Sequence, residues 1–258
     1  MSATNERASG PALAARDITK AFGHVRALRG ASFEAYPGEV TALIGDNGAG
    51  KSTLIKVLSG VHSPDAGTIY VGGKEVQITH PREAAALGLE TVYQDLALAP
   101  DLDAPANVFL GRELTRFRWL HDTRKMRNIT ETRFKELGVG LVQDMRVPVA
   151  AFSGGQKQSV AIARAAMWAE HVIIMDEPTA ALGVVQTANV LRLINTIRDR
   201  GLAVVLISHN LREVLEVADR IEVMRLGARV ARFGRGEADA ERLIAAMTGS
   251  YATEAVSA

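Results

Sequence analysis

The chain has 258 residues, 47% of them apolar, a formal net charge of +1 and no cysteine. That length supports one large domain or two small ones with a sizeable core. The near-zero charge gives no long-range attraction to nucleic acid, and the missing cysteines exclude disulfides, thiolate metal sites and cysteine nucleophiles.

The N-terminus, MSATNERASGPA, lacks the apolar centre of a signal peptide. No uncharged apolar run approaches the roughly 18–20 residues that cross a bilayer. The first residues read as a loose tail. The chain is expected to be cytoplasmic, with any membrane role supplied through a partner.

In chain order, the first strong element is the aliphatic run Val40–Ile44, which suits a buried strand. It runs into Gly45-Asp46-Asn47-Gly48-Ala49-Gly50-Lys51-Ser52, a fit to G-x-x-x-x-G-K-[ST]. Leu54, Val57 and Leu58 then follow at helical spacing. Glycines let backbone N–H groups converge on phosphate oxygens, and a helix N-terminus adds partial positive charge. Lys51 is placed to reach the β- and γ-phosphates, and the Ser52 hydroxyl to bind Mg²⁺. A chance glycine turn is the alternative, disfavoured because strand and helix are both in place. A nucleoside triphosphate is the expected ligand.

Gly67–Ile78 reads as an antiparallel hairpin turning at Gly72-Gly73. From Asp101 to about Arg164 strand signals are weak and the segment reads as mostly helical. Arg112, Arg116, Arg118, Arg124, Lys125, Arg127, Arg133 and Lys135 outnumber its acids. A solvated helical face is the simplest reading of that charge, and a face toward anionic lipid the second. The sparse aromatics (Phe117, Trp119 and Phe134) argue against a nucleic-acid patch.

Ser153-Gly154-Gly155-Gln156 opens a further helix with Ser153 as N-cap. Two more aliphatic runs follow. Val172–Met175 ends in Asp176-Glu177, and Leu202–Ile207 ends in Ser208-His209. Runs of this kind typify parallel sheets covered on both faces, and ligands bind beyond the carboxyl ends of such strands. The three strand ends are therefore expected to converge on one site. Ile221–Phe233 alternates around Gly227 and reads as a second antiparallel pair.

The ordered set is GDNGAGKS, Gln94 in Val92-Tyr93-Gln94-Asp95, SGGQ, a strand ending in Asp176-Glu177, and His209 after a strand. In that order it resembles the ATP-binding cassette (ABC) ATPases over essentially residues 12–250, which implies a single domain there with tails at 1–11 and 251–258. The resemblance implies an α/β fold with a RecA-like P-loop core, an antiparallel β subdomain, and a helical subdomain inserted at about 95–165. It implies that Phe22 stacks on adenine, a core phenylalanine being the alternative. Gly45, Asn47, Gly48, Ala49, Gly50, Lys51, Ser52 and Thr53 would surround the phosphates. Asp176 would hold the Mg²⁺ shell, Gln94 touch Mg²⁺ or the attacking water, Glu177 act as general base, and His209 contact the γ-phosphate. Ser153, Gly154, Gly155 and Gln156 would face the ATP of a second copy, giving a homodimer of cassettes. His24, His62, His80, His121 and His171 receive no role. Phe152 stands where the family usually has Leu. Gly183 stands where it usually has Asp, in the segment linking the two ATP sites.

Within that family, Gly45–Gly60, Thr91–Leu98 and Asn107–Glu113 are similar to cassettes of ribose-, xylose- and fructose-type importers. This implies an ATPase subunit, peripheral on the cytoplasmic face of the inner membrane, energising monosaccharide import. Its partners would be two transmembrane permease subunits and, indirectly, a solute-binding protein. The alternatives are an importer for another small solute, such as branched-chain amino acids, and a soluble ATPase acting on nucleic acid or ribosomes. The near-zero net charge speaks against the last, and no nucleic-acid partner is expected.

Overall fold

The computed structural model describes residues 10–117, 119–140 and 144–250. Apart from Gly10 and Pro11, the expected tails lie outside the described residues. Strands β1 (Leu13–Phe22) and β2 (Val25–Ala35) pair antiparallel, with Leu13 opposite Ala35 and Phe22 opposite Val25. After the wholly buried β3 (Val40–Ile44), the glycine loop enters α1 (Lys51–Leu58). Strands β4 (Ala66–Val71) and β5 (Lys74–Val76) form the expected hairpin. Gly72 and Gly73 take φ of 56° and 77°, the double positive φ that a type I′ turn requires. β4 joins β1, so the smaller sheet runs β2-β1-β4-β5.

Helix α2 (Pro81–Ala86) leads to β6 (Leu89–Val92). A long excursion follows: α3 (Ala104–Val108), the hairpin β7 (Thr115–Arg116) and β8 (Leu120–His121), α4 (Thr123–Glu136) and α5 (Gly154–Trp168). It returns to β9 (Val172–Asp176), which lies parallel beside β6, Leu89 opposite Val172. Then come α6 (Val184–Asp199), β10 (Ala203–Ile207), α7 (Leu211–Val217), β11 (Arg220–Arg225), β12 (Ala228–Gly234) and α8 (Ala240–Thr248). The larger sheet runs β12-β11-β3-β10-β9-β6. All its neighbours are parallel except β11 and β12.

Alternate residues of the central strands enter separate cores. Leu43, Ile174, Val205 and Ile207 pack with Leu54 and Leu58 of α1 and with Ile18 and Phe33 of the smaller sheet. Val40, Ile173, Met175, Val204 and Leu206 pack with Ile162, Ile194 and Ile197 and with Phe109 and Phe134 of the excursion. Each fully buried aliphatic or aromatic side chain contributes roughly 1.5–3 kcal/mol. Aliphatic residues at successive positions of β9 and β10 therefore reflect helices or sheet on both faces. The result is an α/β cassette with an antiparallel sheet on one side and a largely helical body on the other.

The structure adds detail to two expectations. The helices of residues 101–164 are interrupted by the short hairpin β7–β8, with Phe117 at φ 57° in the reversal. The pair at Ile221–Phe233 is antiparallel internally, but β11 also extends the parallel sheet beside β3.

Candidate active site

Strand register sets the site. Ile207 of β10 lies opposite both Leu43 of β3 and Asp176 of β9, while Met175 lies opposite Val92 of β6. The next residues of each strand therefore leave the sheet along one edge: Gly45 after β3, Tyr93-Gln94 after β6, Glu177 after β9, and Ser208-His209 after β10. The expected convergence of three strand ends is present, and Gln94 joins them from a fourth.

The glycine loop is shaped by close neighbours. Gly45 has φ 153°, and a β-carbon there would fall 2.2 Å from the Met224 carbonyl oxygen. Gly50 has φ 100°, and a β-carbon there would lie 2.7 Å from the Ala27 carbonyl oxygen. Neither position accepts a side chain without moving backbone. Asp46, Asn47, Gly48 and Ser52 are exposed and Thr53 is partly so, whereas Ala49 is buried. The Gly227 N–H donates to the Ala49 carbonyl at 3.0 Å, which fixes the loop on the β11–β12 turn. Lys51 Nζ donates to the carbonyls of Gly45 (2.6 Å) and Asp46 (3.1 Å). Burial draws the Lys51 ammonium below the usual lysine range, against the pull of Glu177, Asp46 and Asp176.

At the end of β9, burial and then the neighbouring Glu177 push the Asp176 carboxyl above the usual range, opposed by Lys51 and Lys56. Glu177 has φ 50°, a left-handed backbone that few non-glycine residues adopt. Its N–H donates to the Ile207 carbonyl at 2.9 Å. Its Oε2 lies 3.0 Å from Nδ1 of the exposed His209. A proton on Nδ1 thus points to the carboxylate, leaving Nε2 for another partner. Held in this way, a carboxylate can orient and deprotonate a water while the imidazole stabilises developing charge.

Ser153 caps α5 through a reciprocal box: Gln156 N–H donates to Ser153 Oγ (3.3 Å), and Ser153 N–H donates to Gln156 Oε1 (2.8 Å). The N–H groups of Gly154 and Gly155 remain at the helix start, where anions are favoured. Among the described residues, no hydrogen bond or ion pair links these four residues to the glycine loop, Asp176, Glu177 or His209. Phe22 is 45% exposed, which removes the core reading. Its ring meets that of His62 edge-on at 5.2 Å, with Lys20 Nζ 5.7 Å from its centroid.

A sequence profile of the ABC transporter family matches residues 28–180, more than half the chain. The chain belongs to the ABC transporter family. Among curated relatives of this cassette is a fructose import ATP-binding protein of Rhizobium meliloti, 48% identical over 93% of this chain and 95% of its own length. A xylose/arabinose import ATP-binding protein of Sulfolobus acidocaldarius is 46% identical, covering 90% and 92%. A ribose import ATP-binding protein of Rubrobacter xylanophilus is 42% identical over 95% of this chain, which spans 47% of that protein. In structure, the cassette is similar to the ADP conformation of MJ1267, an ATP-binding cassette of an ABC transporter. That match has a TM-score of 0.79 at 28% identity, covering 93% of this chain and 96% of the other.

Three supporting residues of the cassette carry no local sequence signal. Glu213 on α7 accepts from Thr179 Oγ1 and, at 2.7 Å, from Asn210 Nδ2, bracing the loops that carry Glu177 and His209 against each other. Arg164 on α5 donates to the carbonyls of Ala97 (2.8 Å) and Leu96 (3.1 Å), joining the Ser153 helix to the segment after Gln94. Gln186 on α6 lies between two glycines. A β-carbon at Gly155 would come within 2.6 Å of its Cγ, and one at Gly183 within 2.8 Å of its Oε1. The pairings of Glu213 with Thr179, Arg164 with Leu96 and Ala97, and Gln186 with Gly155 are long-range and join residue types that are common elsewhere in the chain.

Proposed function

We propose that this chain binds Mg-ATP and hydrolyses it to energise import of a monosaccharide through a separate membrane permease. The observation that carries the reading is the shared sheet edge, where Lys51, Asp176, Glu177 and His209 meet, with Glu177 and His209 3.0 Å apart. The sugar class rests on the likeness to fructose, xylose/arabinose and ribose import proteins.

In this reading Gly45, Asn47, Gly48, Ala49, Gly50 and Thr53 wrap the phosphates, and Lys51 leaves its carbonyl partners for the β- and γ-phosphate oxygens. Phe22 supplies a ring for adenine. Glu177 holds the attacking water in line, and His209 meets the γ-phosphate through Nε2. Among the described residues no group of three or more His, Cys, Asp or Glu side chains can hold a metal alone. Ser52, Gln94 and Asp176 offer oxygen donors only, a set that fits Mg²⁺ when phosphate oxygens and water complete the shell. Bound there, the ion would neutralise charge on the β- and γ-phosphates.

Among the described residues Ser153, Gly154, Gly155 and Gln156 have no hydrogen bond to their own glycine loop, which supports a site completed by a second copy in a head-to-tail dimer. Residues of about 95–165 act as the helical subdomain that carries this second half-site. Among the described residues no helix is long and apolar enough to cross a membrane. The membrane path is therefore assigned to two permease subunits, with the cassettes on the cytoplasmic face and a solute-binding protein delivering the sugar.

Uptake of labelled monosaccharides in cells lacking this chain tests the reading. Complementation by wild type but not by Glu177→Gln is expected for one sugar. ATP hydrolysis by the purified protein with no sugar response would overturn the sugar assignment and keep the ATPase.

A further inference from the structure

The hairpin β7–β8 has no role in the nucleotide site, yet it displays the most exposed aromatic pair among the described residues. Phe117, Trp119 and Leu120 are 74%, 83% and 56% exposed. Two strands of two residues each cannot stabilise themselves, and these side chains add nothing to either core.

The surrounding segment is net positive, with Arg116, Arg118, Arg124 and Lys125 against Glu113 and Asp122. The Arg116 guanidinium lies 5.4 Å from the Phe117 ring centroid. Arg124 and Lys125 sit in the first turn of α4, which contains no acid. The helix dipole favours acids there, so these cations are locally unfavourable to the helix. Among the described residues Arg116, Arg124 and Lys125 have no carboxylate partner. Both acids of the segment are engaged by backbone: Glu113 accepts from Gly111 N–H, and Asp122 accepts from Lys125 N–H as the α4 cap.

We propose that this hairpin is a lipid-contact element. The Trp119 and Phe117 rings and Leu120 insert at headgroup depth, while Arg116, Arg124 and Lys125 meet the phosphates of anionic lipids. Tryptophan prefers the membrane–water interface, where one part of the ring is wet and another is apolar. Unpaired cations beside it gain from the negative surface potential of an anionic leaflet. An RNA strand would use the rings and cations but has no need of aliphatic Leu120 between them. The proposal deepens the membrane-apposed reading above and rests on it.

The test uses the full chain with vesicles of phosphatidylglycerol and phosphatidylcholine, and with phosphatidylcholine alone. The chain has two tryptophans. Trp168 is partly buried, with Nε1 bonded to the Val108 carbonyl at 3.0 Å, so a shift in emission reports Trp119. Co-sedimentation with a blue shift on the anionic vesicles alone is expected, weakening with salt. Each of Arg116→Gln and Lys125→Gln should lower partitioning about fivefold, and Phe117→Ser with Leu120→Ser, which keeps the Trp119 reporter, should weaken co-sedimentation and shrink the blue shift. All variants should keep wild-type melting and ATP hydrolysis. Absence of vesicle binding, binding unchanged by these substitutions, or binding of a single-stranded RNA oligonucleotide through the same residues in place of vesicles would each overturn the proposal. The two readings fail separately. Sugar uptake without vesicle binding removes the lipid contact alone, and vesicle binding without uptake of any sugar removes the import assignment alone.

Discussion

His209 and Glu177 share a 3.0 Å contact although they leave the sheet from different strands, β10 and β9. The Glu177 N–H bond to Ile207 and the Glu213 bridge between Thr179 and Asn210 hold the two loops in that register. Glu177→Gln should keep ATP binding and lower hydrolysis by about 10²–10⁴-fold. His209→Ala should also lower turnover while leaving ATP affinity close to wild type. Single-turnover hydrolysis beside equilibrium nucleotide binding separates the two effects, and near-normal hydrolysis in Glu177→Gln would remove it as the base.

Asp176 makes the unliganded fold less stable than it would be with a neutral residue. Its folded-state carboxyl is pushed up by burial and by Glu177. A raised carboxyl favours the folded state while it is protonated, and that contribution is lost as pH rises above the ordinary carboxylate range. Asp176→Asn should therefore melt at higher temperature than wild type near pH 7. The gap should narrow as the pH falls into the acid range. Melting curves across pH without nucleotide check this, and a lower melting temperature for the variant at neutral pH would contradict it.

Arg164 reaches two carbonyls with one guanidinium, which a lysine ammonium on a flexible stem does not reproduce. Arg164→Lys and Arg164→Met should both lower stability, by about 1–3 kcal/mol where a carbonyl loses its partner. Both should also lower turnover more than ATP affinity, because α5 is released from the segment after Gln94. Denaturant unfolding with steady-state kinetics reads both. Unchanged turnover in a folded Arg164→Met protein would leave the arginine a purely structural role.

Gly155 owes its identity to α6 as much as to any ligand, since a β-carbon would lie 2.6 Å from Gln186 Cγ. Gly155→Ala should cost about 1–3 kcal/mol by overpacking. Adding Gln186→Ala should recover part of that loss and Gln186→Gly more of it, because the Gln186 Cβ would itself lie 2.9 Å from the new β-carbon. A double-mutant cycle measures the coupling, and simple additivity would refute the contact.

The catalytic edge was legible because its strands are short, aliphatic and end in chemically distinctive residues. Gly45–Ser52 could be placed from its flanking strand and helix alone. Strands β1 and β2 carry no comparable sequence signal, although they form half of the smaller sheet. Their pairing shifts register between Ala15 and Ile18, again at Ile18–Thr19 and again at Lys20–Ala21, with Asp17 at φ 52°. Such bulges break the two-residue alternation that would mark a strand. β6 has four residues and β7 and β8 two each, too few for a period to register. Glu213, Arg164 and Gln186 act across 34, 67 and about 31 positions of chain, and no spacing rule reports such pairs.

The neighbouring positions of β6 and β9 have an architectural outcome. The excursion leaves the sheet after Val92 and re-enters at Val172, while the N–H groups of Glu170 and His171 both donate to the Gly88 carbonyl at 3.1 Å. Because the two strands are parallel, exit and entry lie at opposite edges of one adjacent strand pair, the exit beside the catalytic residues and the entry at the far edge. The body carrying α3, α4 and α5 is thus inserted between two adjacent strands at the sheet margin, and it interrupts no ladder pairing among β3, β10 and β9. Its outer surface, lipid-facing hairpin included, is free to be refitted to a different neighbour while the machinery at the sheet edge stays the same.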